Sequence, residues 1–333
     1  MDLRIMHLRA LSRKRLLLAV CAVTVGAMVV CLWPVNRQAE PDRVREAGGL
    51  TAAAPEAEAI TLSEPKAESA DNEPAGEPAR RIVEGICGRN AHQRLRELAA
   101  SPNLSGGECE ALYRFLREQT TDEKLERMAS IKNDVMNILA VQSHLSAPWD
   151  ELLLRIYEDE GQHPVIRDYA LQHLSEYYEE ATQRGEAQGW EPMRRVKLQE
   201  VLWGALEHRQ ESFAGTALLA LCHLSGLDAG IDRGRVAQKS VELLEVEDTG
   251  ELARMSALQV AALCGEPRVL PQAIATAQAA VSVPLRVSAV AAVGALGGEE
   301  ELALLRRFQS DPNPSIRVAA AAASRRIQSR IEG

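Results

Sequence analysis

Apolar residues in the second half of the chain recur with the 3.6-residue period of an α-helix. Two such stripes are Leu198, Val201, Leu202, Ala205 and Leu206, and Ile166, Tyr169, Ala170, Leu174 and Tyr177. No segment alternates with the period of two that predicts a strand. Helix-stopping residues recur at His163-Pro164, Gly265-Glu266-Pro267, Gly297-Gly298 and Asp311-Pro312-Asn313-Pro314. From residue 80 onward the pattern therefore predicts an all-α fold of helices of roughly 10–20 residues.

The most apolar segment is the uncharged run 16–33, LLLAVCAVTVGAMVVCLW. A helix of this length spans roughly 27 Å, enough to cross a hydrocarbon core. The basic segment 1–15 precedes it and acidic residues follow, so the positive-inside rule predicts a cytoplasmic N-terminus and a periplasmic or extracellular body. A cleaved signal peptide and a lipoprotein signal are the alternatives, but Cys21 and Cys31 each follow a valine, whereas a lipoprotein signal has a small residue before its cysteine. Because the run exceeds the usual length of a signal peptide and no A-x-A site follows, we favour an uncleaved signal anchor.

Residues 34–79 form a polar segment between the predicted anchor and the helical body. This segment contains six of the 15 prolines, eleven alanines and ten acidic residues against four basic ones. With hardly a large apolar side chain, it cannot bury enough surface to offset the entropy of ordering. We predict a disordered linker.

A repeated pattern marks the C-terminal half. The sequences Arg-Met-Ser-Ala, Arg-Val-Ser-Ala and Arg-Val-Ala-Ala begin at Arg254, Arg286 and Arg317. Arg167, shortly after Pro164, is an earlier copy. Small apolar residues follow Arg254, Arg286 and Arg317, as expected for helices packed closely between neighbours.

These motifs resemble the HEAT repeat family. Asp311-Pro312 and Ile316-Arg317, within QSDPNPSIRVAAAAASRR, stand at the positions of that family's motif. The resemblance is clearest over residues 267–331, continues in weaker copies back to about 149, and is lost over residues 80–148. It implies an α-solenoid of antiparallel helix pairs over 149–331, with an extended surface for binding other molecules. An ordinary helical bundle is the alternative.

The charge and the motifs argue against several functions. A net charge of −9 is atypical of a protein that binds nucleic acid. Nucleotide-binding and hydrolase motifs are absent from the sequence, and the seven histidines show no spacing typical of metal ligands. Cys222 and His223 are adjacent, so on a helix their side chains point in different directions. We predict no catalytic residues, no cofactor and no metal site.

The cysteines of the body suggest structural roles. Cys87 and Cys109 could form a disulfide across the first helical hairpin if the body is exported, or could remain free thiols. Cys222 and Cys264 lie at matching places on apolar helices and are expected to be small core residues.

Aromatic residues are concentrated between Trp149 and Trp203. Most of them are expected to be buried. Tyr177, Tyr178 and Trp190 flank a polar segment that we expect to be a long exposed turn, where aromatic side chains could anchor a protein partner.

Together these features predict a non-catalytic scaffold or adaptor, tethered to a membrane, that binds proteins at the membrane surface. Two alternatives remain. Some HEAT-like proteins are lyases that attach bilin chromophores, which would require a ligand groove with a positioned acid. A permanent structural subunit of an envelope complex would instead expose a large apolar patch.

Overall fold

The computed structural model describes residues 77–101, 103–142, 148–184 and 192–333. These residues belong to one of two compact units, and the other unit, 32–74, lies outside them. The helices are α1 (Glu77–Cys87), α2 (Ala91–Ala99), α3 (Gly106–Arg117), α4 (Leu125–Ala140), α5 (Trp149–Glu158), α6 (Pro164–Arg184), α7 (Pro192–Ala205), α8 (Ser212–Leu224), α9 (Arg233–Glu245), α10 (Glu251–Cys264), α11 (Leu270–Ala279), α12 (Val283–Leu296), α13 (Leu302–Phe308) and α14 (Pro314–Glu332).

The prediction of an all-α fold is confirmed for the described residues, which contain helices and no strands. Several predicted stops coincide with helix ends. Helix α10 ends before Gly265, whose φ of 69° is a left-handed conformation that suits glycine. Helix α14 begins at Pro314, and the side chain of Asn313 accepts a hydrogen bond from the backbone N–H of Ser315 at 2.9 Å.

The predicted membrane helix and most of the predicted linker cannot be compared with the structure. Residues 16–33 lie outside the described residues, as do residues 34–76 of the linker. The last residues predicted as linker begin α1, which starts at Glu77. Among the helices that the structure describes, none is long and apolar enough to span a membrane.

The helices pack in consecutive pairs: α1 with α2, α3 with α4, and so on to α13 with α14. Connections of three to seven residues join the two helices of each pair. Each even-numbered helix also packs against the next, so that α2, α4, α6, α8, α10, α12 and α14 form a row. We call this the even-helix row. The hydrophobic core is one cluster of buried residues to which every one of these helices contributes.

Small residues bring neighbouring helices of the even-helix row close together. A Cβ atom added to Gly294 of α12 would lie 2.5 Å from the Cβ of Ala323 on α14. Similarly, a Cβ on Gly215 of α8 would lie 2.6 Å from the Oγ of Ser256 on α10. Such distances are below any van der Waals contact, so these positions accept no side chain without a shift of the helices.

Residues 80–148, which lack the repeated motif, follow the same packing order. Helix α1 packs against α2 and α3, and α4 packs against α2, α3 and α6. This part therefore continues the arrangement of the later pairs, which the sequence pattern alone did not indicate.

Candidate partner-binding region

The region predicted to bind a partner contains a buried polar cluster at the meeting point of three elements. Asp228, in the turn after α8, is 3% exposed. Its carboxylate accepts hydrogen bonds from Arg195 Nε at 2.8 Å and Gln199 Nε2 at 2.9 Å, both on α7. It also accepts a hydrogen bond from the hydroxyl of Tyr178 on α6, and the backbone N–H of Gly230 donates to it at 2.7 Å.

The charges in this cluster favour an ionised Asp228. Burial alone would raise the pKa of this carboxyl, but the hydrogen bonds from Arg195, Tyr178 and Gly230 outweigh burial and lower it. Burial and the hydrogen bond to Asp228 raise the pKa of Tyr178 to about 12. At neutral pH the tyrosine is therefore a protonated donor to a carboxylate, and the cluster joins α6, α7 and the α8–α9 turn.

The prediction that Tyr178 is an exposed anchor was wrong. Helix α6 extends to Arg184, and the side chain of Tyr178 is fully buried. The reason is the helical period, because Ala170 and Leu174, eight and four residues earlier, lie on the same buried face. Tyr178 lies on the same buried face and its hydroxyl reaches Asp228 in the interior, so its side chain cannot contact a partner.

Tyr177 is half-buried and packs against the core. Burial and the nearby carboxylate of Asp150 raise its pKa, while Arg194 opposes that shift through a hydrogen bond. Arg194 Nε lies 3.1 Å from an oxygen of Asp150, which is 2% exposed at the start of α5. Tyr177 thus belongs to a second polar cluster, in which side chains of α5, α6 and α7 interact. The third predicted anchor, Trp190, lies outside the described residues.

The expectation that most aromatic residues of this region are core residues is confirmed. Trp149 and Tyr157 are buried, and Trp203 packs against the core in a partly buried position. The ring of Tyr157 meets that of Phe213 edge-on, with centroids 5.6 Å apart. The guanidinium of Arg235 lies 4.0 Å from the centroid of the Trp203 ring, a cation–π distance.

The repeated arginines donate hydrogen bonds to backbone carbonyls at the ends of the preceding helices or in the turns that follow them. Each is the fourth residue of its helix, in α6, α10, α12 and α14. Arg167 Nε donates to the carbonyl of Tyr157 in the last turn of α5 at 2.7 Å. Arg286 Nε donates to the carbonyl of Ala277 in the last turn of α11 at 3.1 Å. A cation at these carbonyls satisfies unpaired acceptors and complements the helix dipole.

The other two arginines act on the connecting turns. Arg254 donates to the carbonyls of Val246, Glu247 and Thr249 after α9, at 2.9–3.0 Å. Arg317 donates to the carbonyls of Asp311 and Pro312 after α13. Each of the four repeated arginines therefore joins the two helices of its pair through hydrogen bonds to backbone carbonyls.

Lys132 has the corresponding role in the N-terminal part. This fully buried lysine of α4 donates to the carbonyls of Leu116, at 3.1 Å, and Glu118, at the end of α3. Burial lowers its pKa to about 8, although the carboxylates of Glu118 and Asp159 oppose the shift. Sequence reasoning missed this residue, because a lone lysine outside the repeated motif carries no signal of burial.

The most exposed apolar side chains of this region lie at the start of α7. Met193 is 79% exposed and Val196 is 49% exposed. They are three residues apart, so they lie on one face of the helix. Among the described residues of this region, that face carries the most exposed apolar side chains.

The two cysteine pairs differ. Cys87 is exposed and Cys109 is buried, and both are free thiols in this structure. Cys222 is buried and Cys264 is partly buried, as expected for core residues, and their sulfur atoms are 4.0 Å apart.

No family model matches the chain, and no curated protein matches it in sequence. Within the described residues, no group of three or more His, Cys, Asp and Glu side chains could hold a metal ion.

Proposed function

We propose that the protein is a non-catalytic scaffold, a HEAT-like α-solenoid that is tethered to a membrane by residues 16–33 and binds other proteins. The observation that carries this proposal is the repeated packing of each helix pair against the next, from α1–α2 to α13–α14. An array of this kind builds its core by stacking and leaves a long surface for partners.

The buried polar groups support a scaffold, since they join helices. Asp228 is enclosed by hydrogen bonds from α6 and α7, and Lys132 binds the end of α3. The Arg194–Asp150 ion pair joins α7 to α5. Interactions that fix neighbouring pairs in this way favour a surface of constant shape, which lowers the entropic cost of binding.

The proposed binding face is the start of α7, formed by Met193 and Val196. An exposed methionine adapts to varied partner surfaces, and the adjacent valine adds apolar area. Trp190, two residues before α7, remains a predicted third anchor. A protein partner with a small apolar patch would bury these side chains.

The tether determines where binding would occur. In the proposed topology residues 1–15 are cytoplasmic, and the linker 34–79 holds the helical body near the outer surface of the membrane. The partner would then be an envelope or extracellular protein.

Expression of the full chain and of a chain lacking 16–33, followed by membrane fractionation, tests the tether. We expect only the full chain in the membrane fraction, and equal distribution of both would contradict the anchor.

Site-specific photo-cross-linking in cells tests the binding face. A photoreactive amino acid replaces Met193 or Val196 in the full chain, and Val281, which is 99% exposed in the α11–α12 connection, serves as the control position. We expect positions 193 and 196 to capture the same protein and position 281 not to capture it. Recovery of the uncross-linked chain alone, or equal capture from position 281, would contradict the proposal.

A further inference from the structure

Cys222 and Cys264 bring two thiols into contact across neighbouring helices of the even-helix row. Cys222 lies in the last turn of α8 and Cys264 is the last residue of α10. Their sulfur atoms are 4.0 Å apart, and both residues are free thiols. The S–S bond of a disulfide is about 2.05 Å long, so closure requires a movement of about 2 Å.

The surroundings of the two thiols assign them different roles. Cys264 is partly exposed, whereas Cys222 is only 5% exposed, so a reagent from solvent reaches Cys264 first. Burial and the neighbouring Cys264 raise the pKa of Cys222, and the guanidinium of Arg233 opposes this shift. Arg233 is held there by a hydrogen bond of 2.8 Å to the carbonyl of Leu263. The structure thus places an accessible thiol beside a shielded one, with a cation nearby.

We propose that Cys222 and Cys264 form a redox pair that closes to a disulfide and locks α8 to α10. The oxidant is a small-molecule disulfide such as glutathione disulfide. The Cys264 thiolate attacks one sulfur of this disulfide, forms a mixed disulfide and releases one glutathione thiolate, which takes up a proton. Cys222 then loses its proton, the resulting thiolate attacks the Sγ of Cys264, and the second glutathione leaves as a thiolate that takes up a proton. Two protein thiols are oxidised to one disulfide, and one disulfide is reduced to two thiols.

The bond would join the C-terminal ends of α8 and α10, which belong to two consecutive helix pairs. Its formation would restrict their relative movement and depends on no assumption about a bound partner. The pair Cys87 and Cys109 provides an internal comparison, because an exposed and a buried cysteine there are also on neighbouring helices.

Peptide mapping of the full chain tests the proposal. The purified, reduced protein is incubated with glutathione disulfide, remaining thiols are alkylated, and peptides are identified by mass spectrometry. We expect a peptide pair linked through Cys222 and Cys264. In the Cys222→Ser variant we expect glutathione on Cys264 instead. Alkylation of both cysteines as free thiols, while the exposed Cys87 carries glutathione, would overturn the proposal.

A second measurement remains informative if Cys222→Ser fails to fold. The equilibrium between the linked and reduced wild-type protein is measured over a series of glutathione ratios, in buffer and in concentrated urea. We expect the native fold to favour the Cys222–Cys264 bond by about tenfold or more over the unfolded chain. An equal or lower preference in buffer would mean that the fold does not create the pair, and would overturn the proposal.

Discussion

The first helices, α1 to α4, and the last, α9 to α14, use the same packing order but different residues. We call them the N-terminal pairs and the C-terminal pairs. Among the described residues of the N-terminal pairs, only Ala91, Ala111 and Ala129 are buried alanines, and most of the buried apolar side chains are Leu, Ile, Met, Tyr or Phe. The described residues of the C-terminal pairs contain twelve buried alanines, among them Ala253, Ala257, Ala273, Ala289 and Ala320, beside a smaller number of fully buried large side chains such as Leu258, Leu305 and Ile316.

The helix ends are bound by different cations in the two regions. Arg286 binds the end of α11 and also forms an ion pair of 2.7 Å with Asp311, whereas the buried Lys132 binds the end of α3. The packing order therefore does not depend on the repeated motif. Apolar faces at the helical period are sufficient for this packing order. The repeated motif adds close contacts between helices and an arginine at the helix end that is always charged.

Truncation of a large core residue in the N-terminal pairs should have the largest effect on stability. We expect Leu112→Ala in α3 to lower the free energy of unfolding by about 3 kcal/mol, since it leaves a cavity where a fully buried leucine was. Urea titration followed by circular dichroism measures the change. The control is Leu252→Ala, at a position that is 43% exposed, and it should cost less than about 1 kcal/mol. Equal losses would show that Leu112 is not a core residue.

Enlargement, by contrast, should affect the C-terminal pairs. We expect Gly294→Ala to lower the free energy of unfolding by about 2 kcal/mol, because the added Cβ would lie 2.5 Å from that of Ala323. Gly204→Ala in α7 is the matched control, since its Cβ would meet nothing within 4 Å. That variant should be neutral or more stable by up to about 1 kcal/mol. Thermal unfolding of the two variants separates these outcomes, and a stabilised Gly294→Ala would contradict the close contact.

Alkaline pH should distinguish the lysine cap from the arginine caps. The pKa of Lys132 is about 8 in the folded protein and about 10.4 in an unfolded chain, so between these values the unfolded state binds more protons. Stability therefore rises with pH in this window, on the order of 1–2 kcal/mol, as the buried charge is lost. Lys132→Met should remove this rise. Urea titrations at a series of pH values test it, and an unchanged pH profile in the variant would contradict the assignment.

Removal of an arginine cap should have the smallest effect. Arg286→Gln loses the charged hydrogen bonds to Ala277 and Asp311, and we expect about 1 kcal/mol of destabilisation. Arg325→Gln, at an exposed position of α14, is the control and should change stability by less than about 0.5 kcal/mol. Similar unfolding midpoints for the two variants would show that the cap does not stabilise the pair.

Much of the fold could be predicted from local signals. Pro164 and Pro314 begin helices as predicted, and Gly265 ends one, because these residues restrict or permit backbone conformations independently of the rest of the chain. The spacing of Arg254 and Arg286 also located equivalent positions correctly, since each is the fourth residue of its helix.

The candidate site was predicted less well, because its geometry depends on residues distant in sequence. The hydroxyl of Tyr178 donates a hydrogen bond to Asp228, 50 residues later, a partner that no local pattern indicates. The helical period placed Tyr178 on the face of Ala170 and Leu174, and that signal could have identified it as a core residue. Lys132, by contrast, gave no local signal, since only the end of α3 explains its burial.

The proposed α-solenoid is tested most directly by hydrogen exchange resolved along the chain, applied to Gly294→Ala and to Leu112→Ala. In a linear array each pair is stabilised only by its neighbours. We therefore expect Gly294→Ala to lower protection in α12 and α14 and to leave α1–α4 nearly unchanged, and Leu112→Ala to do the reverse. A uniform loss of protection from α1 to α14 in both variants would show a single cooperative core and contradict the solenoid.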